Sequence, residues 1–272
     1  MEQRFNRTDS TDDGVWILKP ADLSKGMGVV PIPSPAAWIR EDGHRAVLES
    51  GRAHIMQRYI ERPLLVDGYK SEIRLYFLVA SVQPLRVLWY PEGSVRLAVR
   101  PFQHSQWQDP LVHIVNTAQG KRTLGEKQYA EMVKNLPRKL SFAELSKYHL
   151  DKNVTTAGDA WRHILSQILS AVKTVLRAAT PSLQHNTDGR REQWHAFALM
   201  GADFIVDSDL KVWLTEMQEG PGLSHIDERV KEDFVPAMVS QAARIGLKVA
   251  SLQATGGVRP GLAEGTDFLP LI

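Results

Sequence analysis

The chain is 272 residues long, with 33 Lys and Arg against 31 Asp and Glu, a formal net charge of +2 and no cysteine. That length suffices for one large domain or two modest ones, and the near-balanced charge gives no general affinity for a polyanion, so no nucleic-acid partner is expected. The missing cysteine excludes disulfides, a thiol nucleophile and Cys-ligated zinc, and no apolar stretch reaches the ~20 residues of a membrane-spanning helix, so no membrane partner is expected.

Residues 1–14 read as a disordered lead, polar and unlike a signal or transit peptide. Val15-Trp16-Ile17-Leu18 reads as a short buried strand broken by Lys19-Pro20, and Ser24-Lys25-Gly26-Met27-Gly28 as a glycine loop. Pro35 to Ser50 is expected to be one helix, because Pro suits a first turn and Ala36, Trp38, Ile39 and Val47 can share a face. His54 to Ile60 reads as a strand followed by an extended connector. From Lys70 to Arg100 the pattern is β, with Ile73, Leu75 and Phe77 alternating with Arg74 and Tyr76. Leu85–Trp89 and Val95–Val99 flank Pro91-Glu92-Gly93, which reads as a hairpin turn.

Leu111 to Val115 is expected to be another strand, and 117–157 polar and helical in short pieces, with Ser141 and Glu144 framing a capping box. Trp161 to Ala179 has apolar residues at helical spacing and is expected to stop at Pro181. A polar loop to Glu192 follows, then strands over Phe197–Val206 and Lys211–Gln218, joined by Asp207-Ser208-Asp209. A last helix, Asp227 to Ile245, is expected to end near Gly246, with a mobile Gly/Pro-rich tail after it.

The segment richest in chemistry is Thr215-Glu216-Met217-Gln218-Glu219, where a carboxylate and an amide two residues apart share one strand face. Asp203 supplies a further acid on the neighbouring strand. Such oxygen ligands suit Mg²⁺, which leaves its other positions to water and phosphate. Lys19 at a strand end can meet a phosphate as a point charge, or can be a solvated lysine. The loop at Lys25, Gly26 and Gly28 can bring backbone N–H groups to a phosphate, although such a pair of glycines is usually only a turn. Lys70, Glu72 and Arg74 share a strand face that suits either solvent or a site, and Arg96 and Arg100 fall on the partner strand. His113, like His225, is either a structural histidine or a functional one.

Taken in order, Trp16-Ile17-Leu18-Lys19-Pro20, Lys25-Gly26-x-Gly28, Gln57-Arg58-Tyr59-Ile60-Glu61-Arg62-Pro63-Leu64-Leu65, Lys70-x-Glu72-Ile73-Arg74, Arg96, Asn116, Gly201-Ala202-Asp203-Phe204 and Trp213-Leu214-Thr215-Glu216 resemble the tubulin–tyrosine ligase-like family of ATP-grasp ligases. The resemblance runs from Trp16 to Ser240 and implies an α+β ATP-grasp fold, two β-rich α+β lobes with the nucleotide between them. It assigns 15–60 to the rest of the central lobe, 61–250 to the C-terminal lobe and 251–272 to a tail. It also implies ATP contacts at Lys19, Lys25, Gly26, Gly28, Gln57, Arg58, Tyr59, Ile60, Lys70, Glu72, Arg74, His113, Asn116 and Asp203. Mg²⁺ would be held by Asp203, Glu216 and Gln218, and the reaction carried by Arg74, Arg96 and Glu216.

The activity so implied is an ATP- and Mg²⁺-dependent, ADP-forming carboxylate–amine ligase. ATP turns a carboxylate of a tubulin tail, or of another protein, into an acyl phosphate. A free amino acid, glutamate first with tyrosine and glycine as the other options, then displaces phosphate. Tubulin tails or microtubules are the implied partners, reached past Lys121, Arg122, Arg138 and Lys139, and the cytoplasm and cytoskeleton, including cilium or basal body, the implied location. Four residues depart from the family pattern: Glu72 for Asp, Val115 for Thr, Gln218 for the Asn of Glu-x-Asn, and the added Glu219. The family also carries more chain ahead of the Trp-Ile-x-Lys strand than the fifteen residues before Trp16. These departures suit a competing reading, a catalytically impaired nucleotide- or microtubule-binding module; a ligase with a non-tubulin acceptor is a third.

Overall fold

The structure, a computed structural model, describes residues 14–134, 139–140, 142–145, 157–185, 197–223, 228–254 and 261–272. The expected lead over 1–13, the Ser141 cap, Arg138 and His225 lie outside the described residues. The chain is mixed α+β with antiparallel sheets, in two compact units: Met1–Lys70 with Ala98–Leu136, and Ser71–Leu97 with Pro137–Ile272.

The first unit contains an antiparallel sheet in the order β2-β1-β3, from β1 (Trp16–Pro20), β2 (Val30–Ile32) and β3 (His54–Arg58). β1 runs through Lys19-Pro20 instead of breaking there, with Pro20 opposite His54. The helix expected over 35–50 is two short ones, α1 (Pro35–Arg40) and α2 (Arg45–Glu49). The break follows from the left-handed backbone of Asp42 (φ 57°), which a continuing helix does not accommodate. After β4 (Leu65–Val66), the chain turns at Asp67-Gly68 into the long strand β5 (Tyr69–Val82).

The strand expected over Leu111–Val115 is instead a short helix, α3 (Pro110–His113). Asp109 caps it, accepting from the Leu111 N–H at 2.9 Å, and Pro110 opens its first turn. Asn116 then caps α4 (Thr117–Leu124), accepting from Ala118 and Gln119 at 2.9 and 3.3 Å, and α5 (Glu126–Val133) follows. Two consecutive capping side chains thus replace strand pairing in this stretch.

The second unit is built on an antiparallel sheet whose main path runs β10-β6-β5-β8-β9. Its further strands are β6 (Leu85–Leu97), β7 (Lys139–Leu140), β8 (Ala198–Val206), β9 (Val212–Glu219) and β10 (Leu269–Pro270). The turn joining β5 to β6 is at Gln83-Pro84, and β6 runs unbroken through Pro91-Glu92-Gly93, where a hairpin was expected. Register explains the difference: Leu75 faces Gly93 but Phe77 faces Trp89, so the extra residues around Pro91 form a bulge. A bulge accommodates a proline that cannot donate to the ladder.

On one face of this sheet Tyr76, Leu78, Ala80, Leu88 and Tyr90 bury against Phe234, Met238, Ala242 and Ile245 of α8 (Glu228–Ala254). On the other, Phe142 of α6 (Phe142–Leu145) lies on Gly93 and meets Trp161 of α7 (Ala157–His185) at 4.8 Å between rings. Both long helices outrun their expected ends, α7 through Pro181 and α8 through Gly246. Gly246 is not a cap: it is buried in α8 against the Phe197 ring, a close approach that only a residue without a side chain permits. The tail is not loose over 261–272 either, because β10 pairs with Leu88 and Trp89 of β6 while Phe268, 1% exposed, enters the α8 core.

Candidate functional site

The expected site residues fall into two groups, one in each unit. In the first unit Lys19 donates to the Gln57 side chain at 2.8 Å, joining β1 to β3. The glycine loop has left-handed backbone at Lys25, Gly26 and Gly28 (φ 58°, 70° and 68°), which glycine tolerates at two of the three positions. Gly26 lies against Ile114 and Asn116, and Arg122 of α4 donates to the Lys25 carbonyl at 2.7 Å. Lys25, Gly26 and Asn116 therefore share one neighbourhood. Arg122 thus ties the loop to α4, and Lys121 pairs with Glu126 at 3.4 Å, both side chains remaining exposed.

Deeper in the same unit, Lys70 is only 3% exposed and donates to the Tyr59 hydroxyl at 3.0 Å and the His113 carbonyl at 2.8 Å. Its ammonium also lies 4.3 Å from the Tyr59 ring centroid. The Tyr59 hydroxyl lies 2.9 Å from His113 Nδ1. Trp107 stacks on the imidazole, with centroids 4.6 Å apart and planes at 20°. Burial first, then the Lys70 charge, pushes the His113 pKa down to about 4, so the ring is neutral near pH 7. Burial likewise raises the Tyr59 phenol above its ordinary range. The sequence suggests core packing for its tryptophans before stacking, and an isolated tryptophan among polar residues carries no signal that Trp107 lies on His113.

In the second unit Arg74, Arg96, Asp203 and Glu72 form a charge cluster at the polar end of the α8-side face. β5 places Arg74 opposite Asp203 of β8, and Glu72 opposite Arg96 of β6. Arg74 forms a bidentate pair, its Nε and Nη2 each 2.6 Å from an Asp203 oxygen. Arg96 Nη2 donates to Asp203 and to Glu72, both at 2.7 Å. Gln218 of β9 adds an N–H to Asp203 at 3.3 Å. Thr215, part of the motif but given no role from the sequence, bridges the Asp203 carbonyl (3.0 Å) and Glu72 (3.4 Å) from a bulge in β9. Glu216 is opposite Asp203 in the β8–β9 ladder and is exposed.

Burial alone would raise the Asp203 carboxyl, but the charges of Arg96 and Arg74 and their hydrogen bonds hold it below the usual carboxylate range. Burial opposes the charge of Arg96 too; Glu72 and Asp203 override it and raise its pKa. Arg96 Nε is buried with no hydrogen-bond partner among the described residues, a donor that a phosphate oxygen would satisfy. The residues in register at this end of the sheet, Asp203, Glu216 and Gln218, offer the oxygen donors that suit a hard cation. Of the four hydrogen bonds that Asp203 accepts, three fall on Oδ2 and one on Oδ1, so Oδ1 keeps a lone pair that a cation could share with Glu216 and the Gln218 side-chain oxygen. Among the described residues no group of three or more His, Asp or Glu is gathered to hold a metal unaided.

A family profile described as the tubulin-tyrosine ligase family matches residues 1–250. The Homo sapiens protein named probable tubulin polyglutamylase TTLL2 is 28% identical over 253 residues, 90% of this chain and 38% of that protein. Homo sapiens tubulin polyglutamylase TTLL13 is 30% identical over 229 residues, 80% of this chain and 26% of that protein. Homo sapiens tubulin monoglycylase TTLL3 is 28% identical over 214 residues, 78% of this chain and 26% of that protein. The chain thus spans well under half the length of each of these relatives. With the profile covering nearly all of the sequence that carries both residue groups, the chain belongs to the tubulin-tyrosine ligase family, within the ATP-grasp superfamily.

Proposed function

We propose that the chain carries an ATP-dependent ligase site that joins an amino acid to a protein carboxylate, tubulin being the acceptor. The observation that carries this reading is the second-unit cluster: two guanidiniums, one with an unpartnered buried N–H, held beside Asp203, Glu216 and Gln218. Amide formation from a carboxylate needs an activated acyl group. In the reaction so read, an acceptor carboxylate oxygen attacks the γ-phosphorus of ATP and ADP leaves. The amine of the incoming amino acid then attacks the acyl carbon, and phosphate departs with its bonding pair.

Charge gathers on phosphate oxygens throughout, and arginines fixed in advance by Asp203 and Glu72 stabilise it without reorganising. Arg74 and Arg96 are therefore given to the transferring phosphoryl group. Glu216, Gln218 and Asp203 would hold Mg²⁺, which would supply positive charge to offset that of the phosphate oxygens. In the first unit Lys19, the Lys25–Gly28 loop, Lys70 and the Gln57–Ile60 segment are assigned to the nucleotide. The tubulin-directed names of the relatives support tubulin as acceptor. Two of those names specify glutamate chains and one glycine, so glutamate is the first donor to try. A cytoskeletal location follows from the same reading.

A second reading, nucleotide binding without turnover, is favoured by one observation: Asp203 already accepts four hydrogen bonds from protein donors, three of them on Oδ2. Calorimetric titration with ATP, with and without Mg²⁺, tests both when paired with labelled glutamate and tubulin. The ligase reading expects Mg²⁺-dependent binding and label transfer. Glu216→Gln should abolish transfer while leaving the melting temperature unchanged, because Glu216 is exposed. Binding without transfer of any amino acid supports the second reading; wild-type transfer by the variant rejects the role given to Glu216.

A further inference from the structure

Of the three left-handed residues in the Ser24–Gly28 loop, Lys25 (φ 58°) is the one that carries a side chain. Such backbone is disfavoured for any residue but glycine, and it persists only where its surroundings hold it. The two glycines are held by packing. A Cβ on Gly28 would come within 2.7 Å of the Pro20 ring, so the far end of the loop sits directly on β1, and Gly26 lies against Ile114 and Asn116. Lys25 is held by a hydrogen bond instead: its carbonyl accepts from Arg122 Nη2 at 2.7 Å, across 97 positions of sequence. Gln119, one turn earlier on α4, accepts from the same nitrogen at 2.6 Å and so orients the guanidinium. Asn116 caps this helix, so the seat of the loop and the group that ties it belong to one short element of the first unit.

Within the loop the Met27 N–H is spent on the Ser24 carbonyl at 3.1 Å. The N–H groups of Lys25, Gly26 and Gly28 have no acceptor among the described residues; Lys25 and Gly28 are exposed and Gly26 is half-buried. Backbone donors presented together in this way suit an anion such as phosphate. We propose that Arg122 is a positioning residue, whose bond to the Lys25 carbonyl keeps these donors in their left-handed arrangement for a phosphate-bearing ligand. This rests on the reading that the loop serves a nucleotide. Arg122 acts here on the loop and not on the ligand, so its effect exists before any ligand arrives.

The test uses the full chain, a lysine-specific protease and ATP calorimetry. Lys25–Gly26 is the bond such a protease cuts in the loop, and cutting it requires the loop to leave its seat. Without ATP, Arg122→Ala should be cut after Lys25 about fivefold faster than wild type, and it should bind ATP about fivefold more weakly. Its melting temperature should be unchanged, because Arg122 is exposed. Arg122→Lys, which keeps a donor, should stay within about twofold of wild type in both measurements. Unchanged cutting and unchanged affinity in Arg122→Ala, with wild type binding ATP, overturn the proposal and leave the function reading standing. Weaker ATP binding with unchanged cutting overturns it as well, making Arg122 a direct ligand contact. Faster cutting with unchanged affinity overturns it by reducing the bond to a structural tie. Absence of ATP binding by wild type overturns the function reading and this inference together, whatever the cutting rates.

Discussion

Asp203 is 2% exposed and Arg74 7%, and their bidentate pair is the best-made ionic contact in the second unit. A buried pair of this kind adds little net stability over an apolar one, and losing Arg74 would leave Asp203 its bonds from Arg96 and Gln218. Arg74→Ala should therefore destabilise the chain by about 1–3 kcal/mol, read as a lower urea midpoint at unchanged slope. The residues of this cluster were legible in the sequence as charges of the right kind on strands. Their pairing was not, because Arg74 and Asp203 are 129 positions apart and nothing local says which acid an arginine meets. Lys70 is the sharper case: its face was legible, but its seat on Tyr59 and His113 depends on α3 replacing an expected strand.

At the level of elements, β8 and β9 fall within a residue of their expected bounds, and β5 begins one residue before the expected Lys70. Punctuation residues misled more than they helped. Pro91 and Gly93 mark a bulge inside β6, and Pro181 and Gly246 lie within helices. Tertiary packing overrode the local preference in each case. The same holds for the tail, where Gly and Pro suggested solvent but Phe268 packs beside Tyr90 at 5.0 Å between rings. Gln241 secures that approach, donating to Asp267 at 2.7 Å and accepting from its backbone N–H at 2.8 Å. Phe268→Ala should cost about 3–5 kcal/mol in chemical denaturation, far more than a loose tail would register.

For the molecule as a whole, the notable feature is that neither unit is continuous in sequence. The first is interrupted by the β5–β6 hairpin, yet the ends of that interruption meet: the Ala98 N–H donates to the Lys70 carbonyl at 2.9 Å. A linker of about three residues in place of 71–97 can therefore close the first unit without stretching it. That excised chain, 1–70 joined to 98–136, should elute as a soluble monomer in size-exclusion chromatography. Residues 1–136 with the hairpin retained should aggregate, since Leu75, Phe77 and Leu78, each 0% exposed in the whole chain, would have lost β8 and α8. Equal behaviour of the two fragments would show that the units do not fold along these boundaries.

The pairing of β5 with β8 also sets a timetable. Roughly 115 residues of chain separate Val82 at the end of β5 from Ala198 at the start of β8. At about 5–20 residues per second, a ribosome would deliver β5 some 6–23 s before its central neighbour. Throughout that interval one long edge of the hairpin has backbone donors and acceptors but no strand to meet them, and both its faces are apolar. Synthesis of this protein therefore calls for a chaperone that shields an open sheet edge during elongation, and faster translation of the α6–α7 stretch would shorten the exposure.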